Sequence, residues 1–125
     1  MIKNIEHEQI PFFGNKECKK LGIIFTSNYK YLGFFKNNEI VGVVGYKIFK
    51  KNTAYIGGAY VLQSFRSEGI YELLHNERLK ILKNQGIKSI TANLTVENQL
   101  FHLKRGAKVV KKYNNNIIKV LYDKF

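Results

Sequence analysis

Apolar and polar residues alternate at two different periods along this chain. From Tyr31 the short period of strands takes over. Tyr31-Leu32-Gly33-Phe34-Phe35-Lys36 is aromatic and apolar, and Asn37-Asn38 are residues that tolerate the left-handed conformation of a two-residue turn. Glu39 to Phe49, rich in Ile and Val, reads as the return strand of a hairpin. Lys50-Lys51-Asn52 makes the next turn, and Thr53 to Leu62 continues as a third antiparallel strand. Gly57-Gly58 falls in the middle of it, where glycine weakens a strand unless the backbone bulges or a ligand comes close. Both readings stay open at this point.

The period lengthens at Gly69. Ile70, Leu73, Leu74 and Ile81 share one stripe at helical spacing, with Glu72, Asn76, Lys80 and Lys83 off it, which predicts a helix over Gly69 to Gln85 stopped by Gly86. Leu79 falls on the far side of that stripe. Ile87 to Thr95 reads as a buried strand and Glu97 to Lys104 as a short helix closed by Gly106. Ala107 to Tyr113 and Ile117 to Tyr122 form a last hairpin around Asn114-Asn115-Asn116. The first thirty residues are the least regular, with Pro11-Phe12-Phe13-Gly14 as punctuation and Lys16 to Leu21 as a short helix. The order is helix, three strands, helix, strand, helix, two strands: a single α+β domain, with no repeat or linker.

Composition narrows the class. A chain of 125 residues buries one core and not two. Lys, Asn or Glu interrupts the apolar residues too often for the roughly 18-residue run that a membrane span needs, and Met1 to Glu6 lacks the marks of a secretory signal. The expected compartment is the cytosol, or the host cytosol if a phage encodes the chain. Cys18 is the only cysteine, so an internal disulfide and a cysteine-clustered metal site are excluded, and a half-buried thiol on the short helix is expected. The charge of +12 comes from 21 basic and 9 acidic residues, but Arg66, Arg78 and Arg105 are the only arginines. A lysine-dominated surface draws anions without the planar fork used for base readout. Nucleic acid therefore stays among the candidate partners, in a monomer or homodimer.

The chemistry concentrates at Val61-Leu62-Gln63-Ser64-Phe65-Arg66-Ser67-Glu68-Gly69-Ile70, a strand entering a compact turn and then a long helix. Such a junction aims free backbone N–H groups and the positive end of the helix dipole at one spot, a natural cradle for a diphosphate. Arg66 adds a charge-assisted contact, and Gly69 leaves the amides uncovered.

Phe65-Arg66-Ser67-Glu68-Gly69-Ile70 resembles the Arg/Gln-x-x-Gly-x-Gly/Ala signature of the Gcn5-related N-acetyltransferases (GNAT). The later passage agrees: Gln85-Gly86-Ile87-Lys88-Ser89-Ile90, then Val96-Glu97-Asn98, then Lys104-Arg105-Gly106-Ala107. The resemblance covers roughly residues 31–125. It implies a mixed, mostly antiparallel sheet with helices on both faces and acetyl-CoA, or another acyl-CoA, as cofactor. It implies further that the cofactor lies in a V-shaped opening between Thr53–Leu62 and Ile87–Thr95. Pantetheine would pair with the backbone near Tyr60, Val61 and Leu62, the amides of Arg66, Ser67, Glu68, Gly69, Ile70 and Tyr71 would hold the pyrophosphate, and Asn98 would sit near the pantetheine arm. The three phosphates of coenzyme A suit the basic surface.

The chain departs from the family's pattern at two places. Tyr71 stands where Gly or Ala is usual, and His102 stands where a tyrosine acid is usual, which makes His102 the candidate catalytic acid. No acidic residue lies on the Thr53–Leu62 strand to act as base. His75, Glu72 and Glu77 read as structural or solvated, and Tyr29, Tyr31, Phe34, Phe35 and Tyr46 as core residues that could also line an acceptor pocket. The expectation is acyl transfer to a primary amine. Two alternatives stand beside it: nucleic-acid modification, as in the phage Mom-type proteins that the chain faintly resembles, and a catalytically inactive binding protein on the same fold.

Overall fold

The computed structural model describes residues 1–125. Seven strands form one sheet: β1 (Ile2–Ile5), β2 (Lys30–Lys36), β3 (Glu39–Lys50), β4 (Thr53–Val61), β5 (Ser89–Leu94), β6 (Lys108–Lys112) and β7 (Ile118–Tyr122). Their spatial order is β1-β2-β3-β4-β5-β7-β6, and every neighbouring pair is antiparallel except β4 with β5. Three α-helices, α1 (Lys16–Leu21), α2 (Ile70–Asn84) and α3 (Val96–Leu103), and two short 3-10 turns at His7–Gln9 and Gln63–Phe65 complete the chain.

Local chemistry sets most of these boundaries. Asn37 and Asn38 both take positive φ, 51° and 66°, in the tight β2–β3 turn. The Asn15 side chain accepts from the Cys18 amide at 3.0 Å and caps α1, which ends at Gly22 in the left-handed region. β1 has no forewarning in the sequence, since its four residues alternate too little to reveal a strand. Only pairing along β2, from Ile2 opposite Phe34 to Ile5 opposite Tyr31, creates it.

The alternation of β3 divides the core into two layers. Val43 faces a cluster that includes Cys18, Phe12 and Phe25 on the α1 side, while Val44 packs with Ile70 and Leu74 of α2 on the other. Cys18 is fully buried rather than half-buried, and burial, helped by the neighbouring Glu17 charge, pushes its thiol up to about 11. A buried, protonated thiol of this kind is suited to packing rather than to nucleophilic attack.

The α2 stripe differs from the expected one. Leu73 is 50% exposed, whereas Ile70, Leu74, His75, Arg78 and Leu82 are buried and Leu79 packs against the neighbouring cluster. The helix turns its i, i+4 row of residues 70, 74, 78 and 82 to the sheet. Two of its buried positions carry polar side chains that a hydrophobicity pattern cannot assign to the inside.

Candidate active site

The opening in the sheet comes from a change of register. Across β3, Val43 pairs with Tyr60 but Gly45 pairs with Gly57, so β4 carries one extra residue there. Gly58 takes a φ of 62° in this bulge. Gly45 is required opposite it, because a Cβ would lie 2.9 Å from the Gly57 carbonyl oxygen and 2.7 Å from the Tyr31 ring. Below the bulge, β4 and β5 pair only over Thr53–Tyr55 and Ser89–Thr91. Beyond those residues they diverge, and the backbone edges of both strands are bare. Of the two readings that the sequence left open at Gly57-Gly58, the bulge is real, and the strand splays from β5 beyond it.

A cavity of about 120 Å³ occupies the V, lined on its walls by Ile56, Gly57, Ala92 and Leu94 and on its floor by Tyr71, Arg78 and His102. It continues into a groove of about 450 Å³ that passes Asn98, Ala59 and Val61 to reach Arg66. On the other side of the V a separate groove of about 380 Å³ is lined by Tyr29, Tyr55, Asn93, Tyr113 and Lys119. Of the aromatics considered for an acceptor pocket, only Tyr29 reaches this groove, while Tyr31 and Tyr46 are core.

At the end of the first groove stands the turn before α2. The Arg66 amide is bonded to the Gln63 carbonyl, but no protein group accepts from the amides of Ser67, Glu68, Gly69, Ile70, Tyr71 and Glu72. Six donors at the positive end of a fifteen-residue helix make a strong site for an anion. Gly69 sits at φ 78° with nothing within 4 Å of a virtual Cβ, so the approach to those amides is clear. Ser67, also at positive φ (72°), holds a conformation that costs a non-glycine residue about 1 kcal/mol. The Glu68 carboxylate is drawn aside by Lys36 at 2.5 Å.

The Arg66 side chain departs from its expected role as a phosphate contact. Its Nη2 and Nη1 donate to Glu17 at 2.6 and 3.1 Å, its Nε donates to the Val61 carbonyl at 2.9 Å, and it lies over the Tyr60 ring. The Tyr60 hydroxyl donates to the same Glu17 carboxylate at 2.7 Å. The hydrogen bond from Arg66, with Tyr60 adding to it, holds the Glu17 carboxyl below its usual range. Arg66 thus braces the turn against α1. Glu17 went unnoticed in the sequence, since α1 is forty-nine residues away and only tertiary packing brings the two together.

The Leu62 amide donates to Val41 of β3 at 2.9 Å. Alternation along the strand commits Tyr60 to β3 as well and turns the Val61 N–H to the open edge. Of the three residues expected to meet pantetheine through the backbone, Val61 alone presents a free amide. The Asn98 carboxamide lines both cavity and groove and has no protein partner.

Tyr71 and His102 are joined. The ring of Tyr71 turns under α2, parallel to His75 and against Phe101, rather than across the amides. Its hydroxyl is 2.7 Å from His102 Nε2, and His102 Nδ1 is 2.5 Å from the Tyr122 hydroxyl. His102 is fully buried, and desolvation, reinforced by Arg78 and Arg105, pulls its pKa down to about 3, so the imidazole is neutral. Tyr71, half-buried as a residue, lines both the cavity and the groove, and its phenol, kept protonated by burial, is bonded inward to His102.

The sheet with one parallel pair, the splay at β4–β5 and the open amide turn are the frame of one enzyme family, and its acetyltransferase (GNAT) family model matches residues 2–106. The chain belongs to the GNAT acetyltransferase family. Solved structures of the same fold include an IAA acetyltransferase from Bacillus cereus (13% identity, 99% of both chains, TM-score 0.79). A GNAT acetyltransferase from Elizabethkingia anophelis with acetyl-CoA bound is similar at 18% identity over 99% of this chain and 97% of that one, with a TM-score of 0.74. The PaiA N-acetyltransferase from Thermoplasma acidophilum, in complex with coenzyme A, matches at 23% identity over 78% of this chain and 62% of that one, with a TM-score of 0.67. No curated protein sequence matches the chain. GNAT membership brings acetyl-CoA as cofactor, and the unpartnered amides and uncovered Gly69 are chemically suited to its diphosphate. No helix is long and apolar enough to cross a membrane.

Proposed function

We propose that this chain transfers an acyl group from acyl-CoA to a primary amine. The observation that carries the proposal is the row of six unengaged amides from Ser67 to Glu72, beside a groove that Arg66 and Tyr71 line and that runs to the V. Those amides would hold the pyrophosphate, and the Val61 N–H and the Asn98 side chain would hold the pantetheine arm. Bound acyl-CoA supplies a thioester whose carbonyl carbon accepts the amine. The chain's own work is to exclude water, orient the amine and manage two protons. Tyr71 is suited to deliver a proton to the departing sulfur, since it lines both cavity and groove and His102, bonded to its hydroxyl, can steady either the phenol or the phenolate. His102 is then a positioning residue. The amine would approach through the groove of Tyr29, Tyr55 and Tyr113, where Asn93 and ordered water are the nearest means of taking its proton.

Titration calorimetry with acetyl-CoA tests this. Micromolar binding is expected, and the absence of any heat with either acetyl-CoA or CoA would remove the assignment. A second reading, a nucleic-acid acceptor, is favoured by the edge strand β6, whose Lys108, Lys111 and Lys112 are all exposed and which leads into Tyr113 of the acceptor-side groove. Its mark would be tRNA or DNA binding that weakens steeply with salt.

A further inference from the structure

The floor of the cleft holds a positive charge with nothing to balance it. Arg78 is 1% exposed and lines the cavity. The four ion pairs of the molecule are Lys36–Glu68, Arg66–Glu17, Arg105–Glu72 and Lys108–Asp123, so no carboxylate pairs with Arg78. Its Nη1 donates to the Gly45 carbonyl at 3.0 Å and its Nη2 meets His75 Nδ1 at 2.7 Å, while Nε has no partner.

A guanidinium can only donate. Nδ1 of His75 is therefore the bare acceptor nitrogen, the ring proton is on Nε2, and that fully buried N–H is unpartnered as well. The other polar groups around Arg78 are the phenols of Tyr71 and Tyr122 and the neutral imidazole of His102. The layer thus has two spare donors, a full positive charge and no anion. A buried cation left this way costs several kcal/mol unless something supplies the counter-charge. A carboxylate does so with two oxygens, matching the fork of an arginine. The cavity, at about 120 Å³, is small, which suits a carboxylate on a short carbon chain.

We propose that the floor of the V binds a carboxylate carried in by one of the two reactants, with Arg78 as its partner. This rests on the acyl-transfer reading. The carboxylate belongs either to the far end of a short dicarboxylic acyl group on CoA or to an amine acceptor that bears an acid. In both cases it is a spectator. The amine nitrogen bonds to the acyl carbon, the carbon–sulfur bond breaks with its electron pair going to sulfur, the amine loses one proton and the thiolate gains one.

Two titrations on the whole protein separate the sources. In the first, succinyl-CoA is compared with butyryl-CoA. In the second, succinate is compared with succinamide, in protein saturated with CoA and in protein without it. The expected result is at least about tenfold tighter binding of the charged member in one arm, as a buried charge-assisted pair gives. Arg78→Met should lose the preference and Arg78→Lys should keep part of it, with CoA itself bound within about twofold of the parent. Preference in the first arm assigns the carboxylate to the acyl group, and preference only in the second assigns it to the acceptor. Equal binding of charged and neutral members in both arms overturns the proposal, as does a preference that survives in a folded Arg78→Met. If Arg78→Met does not fold, the parent protein's own preference and the Lys variant decide. Absence of CoA binding alongside Arg78-dependent succinate binding would remove the acyl-transfer reading and leave the carboxylate site standing.

Discussion

Two polar regions meet in this cleft, and they are built in opposite ways. The turn at Ser67–Glu72 offers backbone amides at an exposed surface and uses side chains only to keep the approach clear: Gly69 has none, Glu68 is drawn away by Lys36 and Arg66 is tied to Glu17. The floor is made of side chains alone. His75, Arg78, His102 and Tyr122 are buried at core positions of two helices and a strand, and the half-buried Tyr71 joins them through His102. An exposed anion site gains from water leaving its ligand and tolerates small errors. A buried polar layer is costly unless every member is satisfied, so the unpartnered Nε of Arg78, a residue that lines the cavity, says more about what enters the cleft than any feature of the turn.

The sharpest way to break the comparison is at Gly69. Gly69→Glu puts a negative side chain in the open space before the amides, and acetyl-CoA affinity should fall by about a thousandfold or more. Gly69→Ala separates the effects. It adds only the strain of a Cβ at φ 78°, about 1 kcal/mol of stability, and should weaken binding far less. Equal affinities for all three proteins in calorimetry would show that the amides are not the anion site.

The floor should show itself in acid. Burial first, then the Arg78 charge, hold His75 down at about 2 and His102 at about 3, against an ordinary 6.5 in the unfolded chain. With folded values depressed, the unfolded state takes up protons first as pH drops below 6.5, so stability is complete above that pH and is lost below it. At pH 5 each imidazole accounts for about 2 kcal/mol, or about 4 kcal/mol for the pair. Urea unfolding at pH 7.5 and pH 5 measures this above the main range of carboxylate titration. A flat profile would mean that the layer opens to protons in the native state.

A smaller effect separates Tyr71 from His102. Tyr71→Phe keeps the ring against His75 and Phe101 and removes only the hydroxyl. Turnover should fall by about a hundredfold with little change in KM. His102→Gln should cost less, because it removes a group that steadies the phenol and leaves the proton donor in place. If the His102 variant is the more damaged while its melting temperature is preserved, the roles are reversed.

These two regions were unequally legible in the sequence. The turn could be read because its function needs backbone geometry, and the Gly69 position with the strand before it and the helix after it announces that geometry. Asn37-Asn38 and Gly86 were readable for the same reason. The floor could not be read, because its members lie 31 to 33 residues from their partners in Tyr71–His102 and Arg78–Gly45. Helical periodicity placed Leu73 inside and gave no reason to bury Arg78. A polar residue on the i, i+4 row of an amphipathic helix is a weak signal, but here the row Ile70, Leu74, Arg78 and Leu82 carried it. Glu17 was hidden by an N-terminal segment whose strand β1 exists only through its pairing with β2.

The smallest predicted effect concerns Arg66, whose guanidinium is engaged by protein groups where a phosphate contact was expected. A guanidinium that contacts phosphate would make CoA binding salt-sensitive, and freeing it from Glu17 would tighten the complex. A guanidinium that braces the turn does the opposite: without Glu17 it loses its anchor, the turn loosens, and the amides converge less well. The geometry supports the brace, since both Nη groups and Nε are already committed to Glu17 and Val61. Glu17→Gln should therefore weaken acetyl-CoA binding by about threefold, Arg66→Ala should match it, and the double variant should be no worse than either. The salt dependence of binding should be the same in all four proteins. Tighter binding in Glu17→Gln would return Arg66 to the phosphate, and the turn would then resemble the floor in relying on a side-chain charge.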